Sequence, residues 1–452
     1  MISFPRSAAR RLRLYARKSL AGRPRGPAPP VLFAADGRHV TLSIAVEDIT
    51  VAIRIENAST MTSSLIIPME VVETIEGADD EPVQIELHPE GFTATWTDRG
   101  VSRTQSFDQP EAVLTLPSRP KSLAPVPGKF LTALYEAGRN AAGEPGRYAL
   151  QRVQVRGQAG EVIGTDAYFV YRQEGFTLPF AEEILVPAVP LFGIEEFAKA
   201  STIRIGRTAK QLIVVTDDVT VWMRIDTVGR FPDVAGVFPK AAQPTVLTLD
   251  PADALFLLDA LPSLPGQDNH HRPVTFDVSP GSTALVRASA ENKKDIVEVR
   301  LPRSRVKSGP MRIAIDRRYL IRMIALGCRT FRFFSEHKPI VAIGASITTL
   351  VMPVDTDLIV PPSPHARVLT PEIHSQSIPN RSTTMKTPEP STNGTSDGET
   401  FDPLVETEAL RNALGEAQLR LGRLLSALRS KKKEQKALTQ VWSSLKSLNL
   451  GG

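Results

Sequence analysis

The chain has 452 residues, of which 42% are hydrophobic and 23% charged, so most of it can bury a core and is not disordered by composition. At about 100–200 residues per domain, this length predicts two to four domains. The single cysteine, Cys328, excludes a disulfide framework and a cysteine-rich zinc site. A net charge of +5 is compatible with a polyanion partner without demonstrating one. No apolar run approaches the length of a membrane span, and we expect no membrane partner.

The first predicted element is a basic helix from Arg6 to Leu20, because its apolar residues fall at helix-like intervals. It lacks the apolar centre of a secretion signal, so we interpret it as part of the fold. Four arginines recur at spacings of four and three and therefore share one face: Arg6, Arg10, Arg13 and Arg17. A solvated surface accounts for most such stripes, but this one is strongly basic in a chain that is otherwise nearly balanced.

Three segments of the chain resemble one another in type, order and position. In Ser63 to Ile75, a short apolar strand is followed by a proline and an amphipathic helix. Glu182 to Ile194 repeats this pattern, and Met311 to Leu326 repeats it with Asp316 as the helix-start residue. The copies are spaced by about 120 to 130 residues, which indicates a duplicated domain and not a solenoid unit.

The flanking elements recur as well. Each copy opens with a predicted helix (Arg6 to Leu20, Gly128 to Ala141 and Asp250 to Leu264), and predicted strands precede and follow its second helix. Between the second and third copies lies the connector, Gly229 to Lys240, with the sequence GRFPDVAGVFPK. Its prolines, glycines and large apolar residues suit neither a helix nor a strand, so we expect a stiff loop that packs against something.

Beyond residue 355 the composition changes. Residues 356–402 are rich in proline, serine and threonine and predict a flexible linker. Residues 403–452 predict a helical tail, whose leucines alternate spacings of four and three from Leu410 to Leu428. This seam is near the minimum length for a coiled coil, so a coiled coil and a single amphipathic helix folded on the body both stay open.

Four stretches, in one order and register, resemble the bacterial DNA polymerase III β subunit, the sliding clamp. The connector resembles that family's G-R-F-P-D-Y-x-x-V-[IL]-P-like run. Ile163 to Tyr171 resembles its A-T-D-G-H-R-L segment, Leu350 to Asp355 resembles its closing V-M-P-M, and Ala21 to Pro24 resembles its G-R-P. The chain departs from the family at Ala167 to Val170, which replace G-H-R-L, and at Asp355, where the family's chain is about to end.

The resemblance covers Met1 to Asp355 and implies an α+β fold of three tandem clamp domains, at residues 1–122, 123–240 and 241–355. It further implies a non-catalytic processivity factor, in which a head-to-tail homodimeric ring encircles duplex DNA without regard to sequence. Such a ring tethers DNA polymerase and clamp-loader subunits through short peptide motifs. The resemblance implies neither a cofactor nor a metal, and it implies a cytoplasmic protein associated with the nucleoid.

The predicted DNA contacts come from two sources. The family's contact positions carry over to Arg23, Arg147 and Tyr148. Basic residues on the predicted helices supply the others: Arg6, Arg10, Arg13, Arg17, Arg317, Arg318 and Arg322. Contacts of this kind neutralise phosphates and carry no sequence information, so a ring that makes them can slide.

The resemblance also implies a binding cleft for partner peptides. In the family, partners insert an extended Gln-x-x-Leu-x-Phe-like peptide into an apolar cleft between the second and third domains. Carried over residue by residue, the walls are Thr165, Val170, Pro232, Val237, Leu350, Val351, Met352, Pro353 and Val354. For Val351 and Met352, a place in the core of the final strand is an equally open interpretation.

Two other functions are alternatives to the replicative clamp. A diverged clamp could act in repair, or as a DNA-associated scaffold that recruits partners through its helical tail. A carboxylate-dependent hydrolase could use the acidic pairs Asp79–Asp80, Glu182–Glu183 or Asp217–Asp218, but sequence neighbours on a strand point to opposite faces. The His270–His271 pair lies in a loop bounded by proline and glycine, with no third metal ligand in view.

Overall fold

The computed structural model describes residues 2–20, 28–56, 62–108, 110, 114–120, 122–142, 148–239, 243–290 and 295–371. Across these ranges, three copies of one α+β unit follow each other along the chain. No helix within them is both long and apolar enough to cross a membrane. The heptads of the predicted tail lie outside the described residues.

Each copy has the same order of elements: a strand, a helix, a group of strands, a second helix, and three closing strands. The first copy contains β1 (Ile2–Pro5), α1 (Arg6–Lys18), β2 (Val31–Asp36), β3 (His39–Val46), β4 (Ile49–Glu56), β5 (Thr62–Ile67), α2 (Met69–Ile75), β6 (Pro82–His88), β7 (Gly91–Asp98) and β8 (Val101–Asp108). The second contains β9 (Ala124–Pro125), α3 (Lys129–Gly138), β10 (Arg152–Arg156), β11 (Glu161–Thr165), β12 (Phe169–Gln173), β13 (Glu183–Pro187), α4 (Glu195–Lys199), β14 (Arg204–Arg207), β15 (Gln211–Val215) and β16 (Val219–Arg224).

The third copy has one strand more in its middle group and is followed by a further short strand. It contains β17 (Thr245–Thr248), α5 (Pro251–Ala260), β18 (Pro273–Val278), β19 (Ala284–Ser289), β20 (Ile296–Leu301), β21 (Arg305–Lys307), β22 (Met311–Asp316), α6 (Arg317–Ala325), β23 (Thr330–Phe333), β24 (Ile340–Ile343) and β25 (Ile347–Val351), with β26 (Arg367–Leu369) after it. The three repeats read from the sequence are therefore present. The residue boundaries predicted between them stay predictions.

Each copy divides its strands between two half-sheets, and two sheets run across copies. The order β5-β2-β3-β4 of the first copy continues into β16-β15-β14-β9 of the second. In the same way, β13-β10-β11-β12 of the second copy continues into β25-β24-β23-β17-β21 of the third. The two junctions, β4 with β16 and β12 with β25, are both antiparallel and each contain five residue pairs.

The two remaining half-sheets lie at opposite ends of the repeat. The order β1-β6-β7-β8 ends at β8, which holds the position that β16 and β25 hold in their copies. The order β22-β18-β19-β20 ends at β20, which holds the position of β4 and β12, and it is extended only by β26. Within the described chain, the outer edges of β8 and β20 therefore pair with no strand of another copy.

The helices pack their apolar faces on these sheets. In α1, Ala9, Leu12 and Ala16 are buried in the main core, which it shares with β3 and β4. As predicted, α1, α3 and α5 begin at or one residue after the expected start. Asp250 and Asp316 cap α5 and α6 by accepting hydrogen bonds from the amides of Ala252 and Arg318, both at 2.8 Å.

The second helix of the second copy is shorter than its repeat predicted. Pro190–Gly193 forms one 3-10 turn, and α4 begins only after Ile194, which has an extended backbone. Pro187 and Pro190 lack the amides that a continuous helix needs, and glycine at 193 lowers helix propensity further. Ser63 to Ile75 and Glu182 to Ile194 therefore both contain a strand, but only Ser63 to Ile75 contains the full helix after it.

The predicted linker does not begin at residue 356. Residues 356–371 continue along the third copy, with a 3-10 turn at Thr356–Leu358 and a buried Val360. The Val360 amide donates to Thr275 Oγ1 at 2.9 Å, and β26 pairs in parallel with β20. The apolar residues of 356–371 lie in a proline-rich run and show no periodicity, because each one packs at a separate position on the surface of the third copy.

Candidate functional site

The helix α1 presents a basic surface to solvent. Arg10, Arg13 and Arg17 are exposed on the side opposite to the buried Ala9, Leu12 and Ala16. Arg13 forms ion pairs with two carboxylates, that of Glu73 in α2 at 3.0 Å and that of Glu76 just after α2 at 2.5 Å. Arg10 and Arg17 make no ion pair with a described residue, so their charge is available to a phosphate.

Arg6 is not on this surface, which corrects the predicted stripe. It is 5% exposed and donates to the carbonyls of Ile75, Thr97 and Glu76 at 2.9–3.1 Å. Asp79 and Asp98 each lie 3.3 Å from its guanidinium. The guanidinium thus satisfies carbonyls at the C-terminal end of α2, where a positive charge is favourable.

Arg317 is likewise a structural residue and not a DNA contact. It is 2% exposed, and its guanidinium donates to four carbonyls, those of Arg272, Leu261, Leu264 and Pro265. Burial lowers the pKa of Arg317 to about 10, with repulsion from Arg272 as a second cause. Both errors have one origin, since the spacing of arginines does not distinguish a solvent-facing guanidinium from one that satisfies buried carbonyls.

The other predicted DNA contacts differ in exposure. Arg318 is about half exposed and paired with Asp316. Arg322 is largely buried between α6 and α3, where it donates to Glu136 Oε2 at 2.6 Å and to Asn140 Oδ1 at 2.7 Å. It therefore joins the second and third copies.

Tyr148 is 37% exposed. Arg23 and Arg147 lie outside the described residues.

A second arginine with a joining role was not predicted. Arg11 lies 2.8 Å from Asp218 and 3.2 Å from Glu196, so it connects α1 of the first copy to the second copy. In the sequence, Asp218 is notable only as a member of an acidic pair. Because these partners lie far from Arg11 in the chain, no local pattern marked the contact.

The junction of the second and third copies carries a row of residues on one face of its sheet. Thr165 pairs with Val170, Val170 with Leu350, and Leu350 with Val341, so four adjacent strands contribute one side chain each. We call these four residues the outer row. Val170, Leu350 and Val341 are buried in a cluster separate from the main core. The sequence prediction had brought together the first three members from distant parts of the chain.

The connector packs on the outer row, as its composition predicted. Val234 is 3% exposed and joins the cluster, with Phe231 and Phe238 partly buried beside it. The 3-10 turn Ala235–Val237 follows, and the Gly236 amide donates to Asp233 Oδ1 at 3.2 Å. This turn leaves Val237 45% exposed. Val234 was missed as an anchor because a loop residue has no periodicity to reveal its direction.

The closing segment after β25 adds further apolar surface. Met352 is 39% exposed, and its amide donates to the carbonyl of Tyr168, itself 65% exposed, at 3.0 Å. Pro232, Pro353 and Val354 are half-buried. Val237, Met352 and Tyr168 are therefore exposed apolar side chains on the segments that flank the buried outer row.

Val351 is not a wall of this surface, which corrects its predicted role. It is 0% exposed and belongs to the main core, on the opposite face of the sheet from Leu350. Consecutive strand residues point to opposite faces, so the pair Leu350–Val351 cannot line one cleft. Of the two residues for which the sequence left a core position open, Val351 is in the core and Met352 is exposed.

The turn before β12 contains backbone strain at one of the positions that depart from the clamp-family segment. Ala167 has a φ of 80°, a left-handed conformation that favours glycine. Asp166 stabilises the turn by accepting hydrogen bonds from the amides of Tyr168 and Phe169, at 3.0 and 2.7 Å. It also accepts one from the Tyr319 hydroxyl at 2.9 Å.

We predict that Ala167→Gly raises the free energy of unfolding by up to about 1 kcal/mol, because glycine adopts a positive φ without the Cβ clash. Chemical denaturation measures the change. Ala149→Gly is the matched control, since Ala149 is not among the residues with a positive φ and should lose roughly 0.5–1 kcal/mol. A loss at position 167 as large as that at 149 would contradict the prediction.

The acidic pairs of the hydrolase alternative have structural partners. Asp217 accepts hydrogen bonds from the amides and hydroxyls of Thr202 and Ser201, which lower its pKa to about 2. Glu182 pairs with Arg207, and Asp80 accepts from Ser7. In the described part of the chain, no three histidine, cysteine or carboxylate side chains are grouped as a metal site would require. Burial raises the pKa of the Cys328 thiol to about 11.

Comparison with solved structures relates this fold to bacterial sliding clamps. The DNA polymerase sliding clamp of Pseudomonas aeruginosa matches with a TM-score of 0.63 at 16% identity, over 78% of this chain and 99% of its own. The β subunit of DNA polymerase III from Thermotoga maritima matches with a TM-score of 0.64 at 14% identity, over 78% and 99%. The β sliding clamp of Caulobacter crescentus matches with a TM-score of 0.64 at 16% identity, over 78% and 100%.

No protein-family model and no curated protein matches the chain by sequence. The α+β fold of three tandem clamp-type domains is therefore shown by structure, as the four short stretches of sequence predicted.

Proposed function

We propose that this protein is a sliding clamp, which closes as a head-to-tail homodimer around duplex DNA and tethers a DNA polymerase and other partners. It has no catalytic role of its own in this proposal, and it acts in the cytoplasm at the nucleoid. The observation that carries the proposal is the pair of unmatched sheet edges, β8 and β20, on a clamp fold that covers 78% of the chain.

The internal junctions supply the argument for a ring. Twice in this chain, the outermost strand of one half-sheet pairs antiparallel with the outermost strand of the next copy's half-sheet. Applying the same step a third time pairs β20 of one molecule with β8 of another. Two such pairs close a head-to-tail dimer, because each molecule supplies one edge of each kind.

The charge of the helices supports DNA as the occupant. Arg10 and Arg17 on α1, Lys129 at the start of α3 and Arg139 at its end are exposed. Helices of equivalent position in each copy would face the same side of a closed ring. Phosphate contacts of this type are independent of sequence and strongly dependent on salt.

The test is topological. Protein loaded by its own clamp loader onto a nicked circular plasmid should stay bound through gel filtration at high salt. Cutting the plasmid once should release it, because a ring slides off a free end. Equal retention on circular and linear DNA would contradict a ring and favour ordinary binding.

The proposed docking site for partner peptides consists of the exposed apolar side chains beside the outer row, Val237, Met352 and Tyr168. Val237→Asp should weaken binding of a fluorescent Gln-x-x-Leu-x-Phe-like peptide by about tenfold or more, because it places a charge where an apolar anchor would sit. Fluorescence anisotropy measures the dissociation constant. Val228→Asp makes the same change at a valine that is 92% exposed and precedes the connector, and it should have little effect. Equal losses would contradict the assigned site.

A diverged clamp that serves repair, or a scaffold, shares this fold. The substituted turn at Ala167 to Val170 is the observation that favours it, since these residues differ from the family segment beside the peptide site. Affinity capture with the replicative polymerase and the loader separates the two functions. A clamp of replication retains both, and a specialised clamp retains neither.

A further inference from the structure

The edge of β20 is already covered within the chain. Strand β26 pairs with it at Val297–Arg367, Glu298–Val368 and Val299–Leu369. The covered side is the side that β4 and β12 use to join the next copy. We propose that β26 is an internal competitor of ring closure, which must leave β20 before β8 of a second molecule can pair there. This inference rests on the ring of the proposed function and adds a regulatory segment to it.

The geometry of β26 is that of an added strand and not of a domain junction. Both internal junctions are antiparallel and contain five residue pairs. The contact of β26 is parallel and contains three. Parallel pairing is slightly less stable per residue, and each ladder hydrogen bond contributes little net free energy. A short parallel strand is therefore replaceable by a longer antiparallel one.

The other edge is ready for such an exchange. Strand β8 has eight residues, and Val101 to Ser106 are all exposed. Only β7 pairs with it among the described strands, so no described strand occupies its second edge. Phe107, which follows Ser106 in β8, stacks on Phe92 of β7 at a centroid distance of 5.4 Å. An open edge of this length is a template for another strand, and its polar sequence limits unspecific pairing.

The segment that leads into β26 is attached to the third copy at two points before the strand begins. The Val354 amide donates to the Ala314 carbonyl at 3.0 Å, and Val360 is buried against the third copy. In β26 itself, Arg367 is exposed and Val368 is 43% exposed, and only Leu369 is partly buried against the main core. Release of β26 therefore uncovers the edge of β20 without removing the buried anchor at Val360.

Competition has a quantitative consequence. If the binding-competent edge is free in only a fraction of molecules, the apparent dimer dissociation constant is raised by the inverse of that fraction. Weakening β26 should then tighten the dimer, which is the opposite of what loss of a structural strand would do. This sign distinguishes a competitor from a strand that supports the interface.

The variant test uses the full chain with Arg367→Pro and Val368→Pro together. Consecutive strand amides point to opposite edges, so one of the two prolines removes a donor that faces β20. Arg367→Thr with Val368→Thr is the control, because it removes the same charge and keeps strand-forming residues with both amides. Circular dichroism and thermal unfolding verify that both variants fold.

We expect sedimentation equilibrium to give the proline variant a dimer dissociation constant about tenfold lower than that of the threonine control. Equal constants for two dimeric variants would overturn the competition and leave the ring intact. Monomers at every concentration, for both variants and the natural chain, would overturn the ring and the competitor together. The two failures are therefore distinguishable.

Hydrogen exchange of the natural chain supplies a second measurement that needs no substitution. As protein concentration rises through the dimer transition, amides of β8 should become protected and those of β26 should exchange faster. Retained or increased protection of β26 in the dimer would overturn the proposal, because a displaced strand cannot keep its hydrogen bonds.

Discussion

Arg317→Met is expected to lower the free energy of unfolding by about 3 kcal/mol or more, since charged hydrogen bonds and buried unpaired acceptors each contribute 1–3 kcal/mol. Methionine fills the space of the aliphatic stem but removes the charged donor from four carbonyl oxygens. Those of Arg272, Leu261 and Leu264 keep one neutral donor each, at 3.2–3.4 Å, whereas that of Pro265 keeps none among the described residues. Two of these, at Leu261 and Leu264, follow the end of α5, where a positive charge is also favourable. Urea denaturation followed by circular dichroism measures the loss.

The adjacent arginine provides the matched control. Arg318 stands one residue on and is paired with Asp316, but its side chain is 52% exposed. Arg318→Met should cost less than about 1 kcal/mol, as is usual for exposed ion pairs. If both substitutions had the same effect, the buried carbonyl contacts of Arg317 would not be the source of its contribution.

Reversing the charge of Arg10 and Arg17 together should lower the affinity for duplex DNA by about tenfold or more at low salt. The two side chains are exposed on α1 and unpaired among the described residues, so each can neutralise one phosphate. Their loss should reduce the slope of log affinity against log salt by about two. Fluorescence anisotropy with a labelled duplex across a salt series measures both quantities.

The control for this pair must change the net charge equally. Arg204 on β14 and Arg332 on β23 are exposed, and their strand neighbours Ile205 and Phe331 point into the core. Arg204→Glu with Arg332→Glu therefore alters the outer faces of the sheets and leaves the helices unchanged. If it weakened DNA binding as much as the α1 pair did, net charge alone would explain the effect and α1 would not be the DNA surface.

The repeat was readable from the sequence because its signals are local. A strand, a helix-start residue and an amphipathic helix depend on residues within one short segment, and Ser63 to Ile75 and Met311 to Leu326 kept that pattern. The connector was also readable, since its prolines and apolar residues exclude a regular element. The outer row was predicted through resemblance to the clamp family, which relates Thr165 and Val170 to Leu350 across the chain.

Exposure was not readable, because it depends on what lies opposite each side chain. Arg6 and Arg317 continue basic patterns along their helices, yet both satisfy carbonyls at the end of a neighbouring helix. Val351 continues an apolar strand, but alternation turns it to the core while Leu350 faces the connector. In each case a contact distant in sequence decides the role.

The sequence by itself determined the three copies, their order of strands and helices, and the place of the connector, because hydrophobic periodicity and turn residues act over a few positions. Only the tertiary structure decided which strand edges are joined and which are open. It joined β4 to β16 and β12 to β25, and it put β26 on the edge of β20. Strand pairing is a contact between backbones, and backbone donors and acceptors are the same for nearly every residue type.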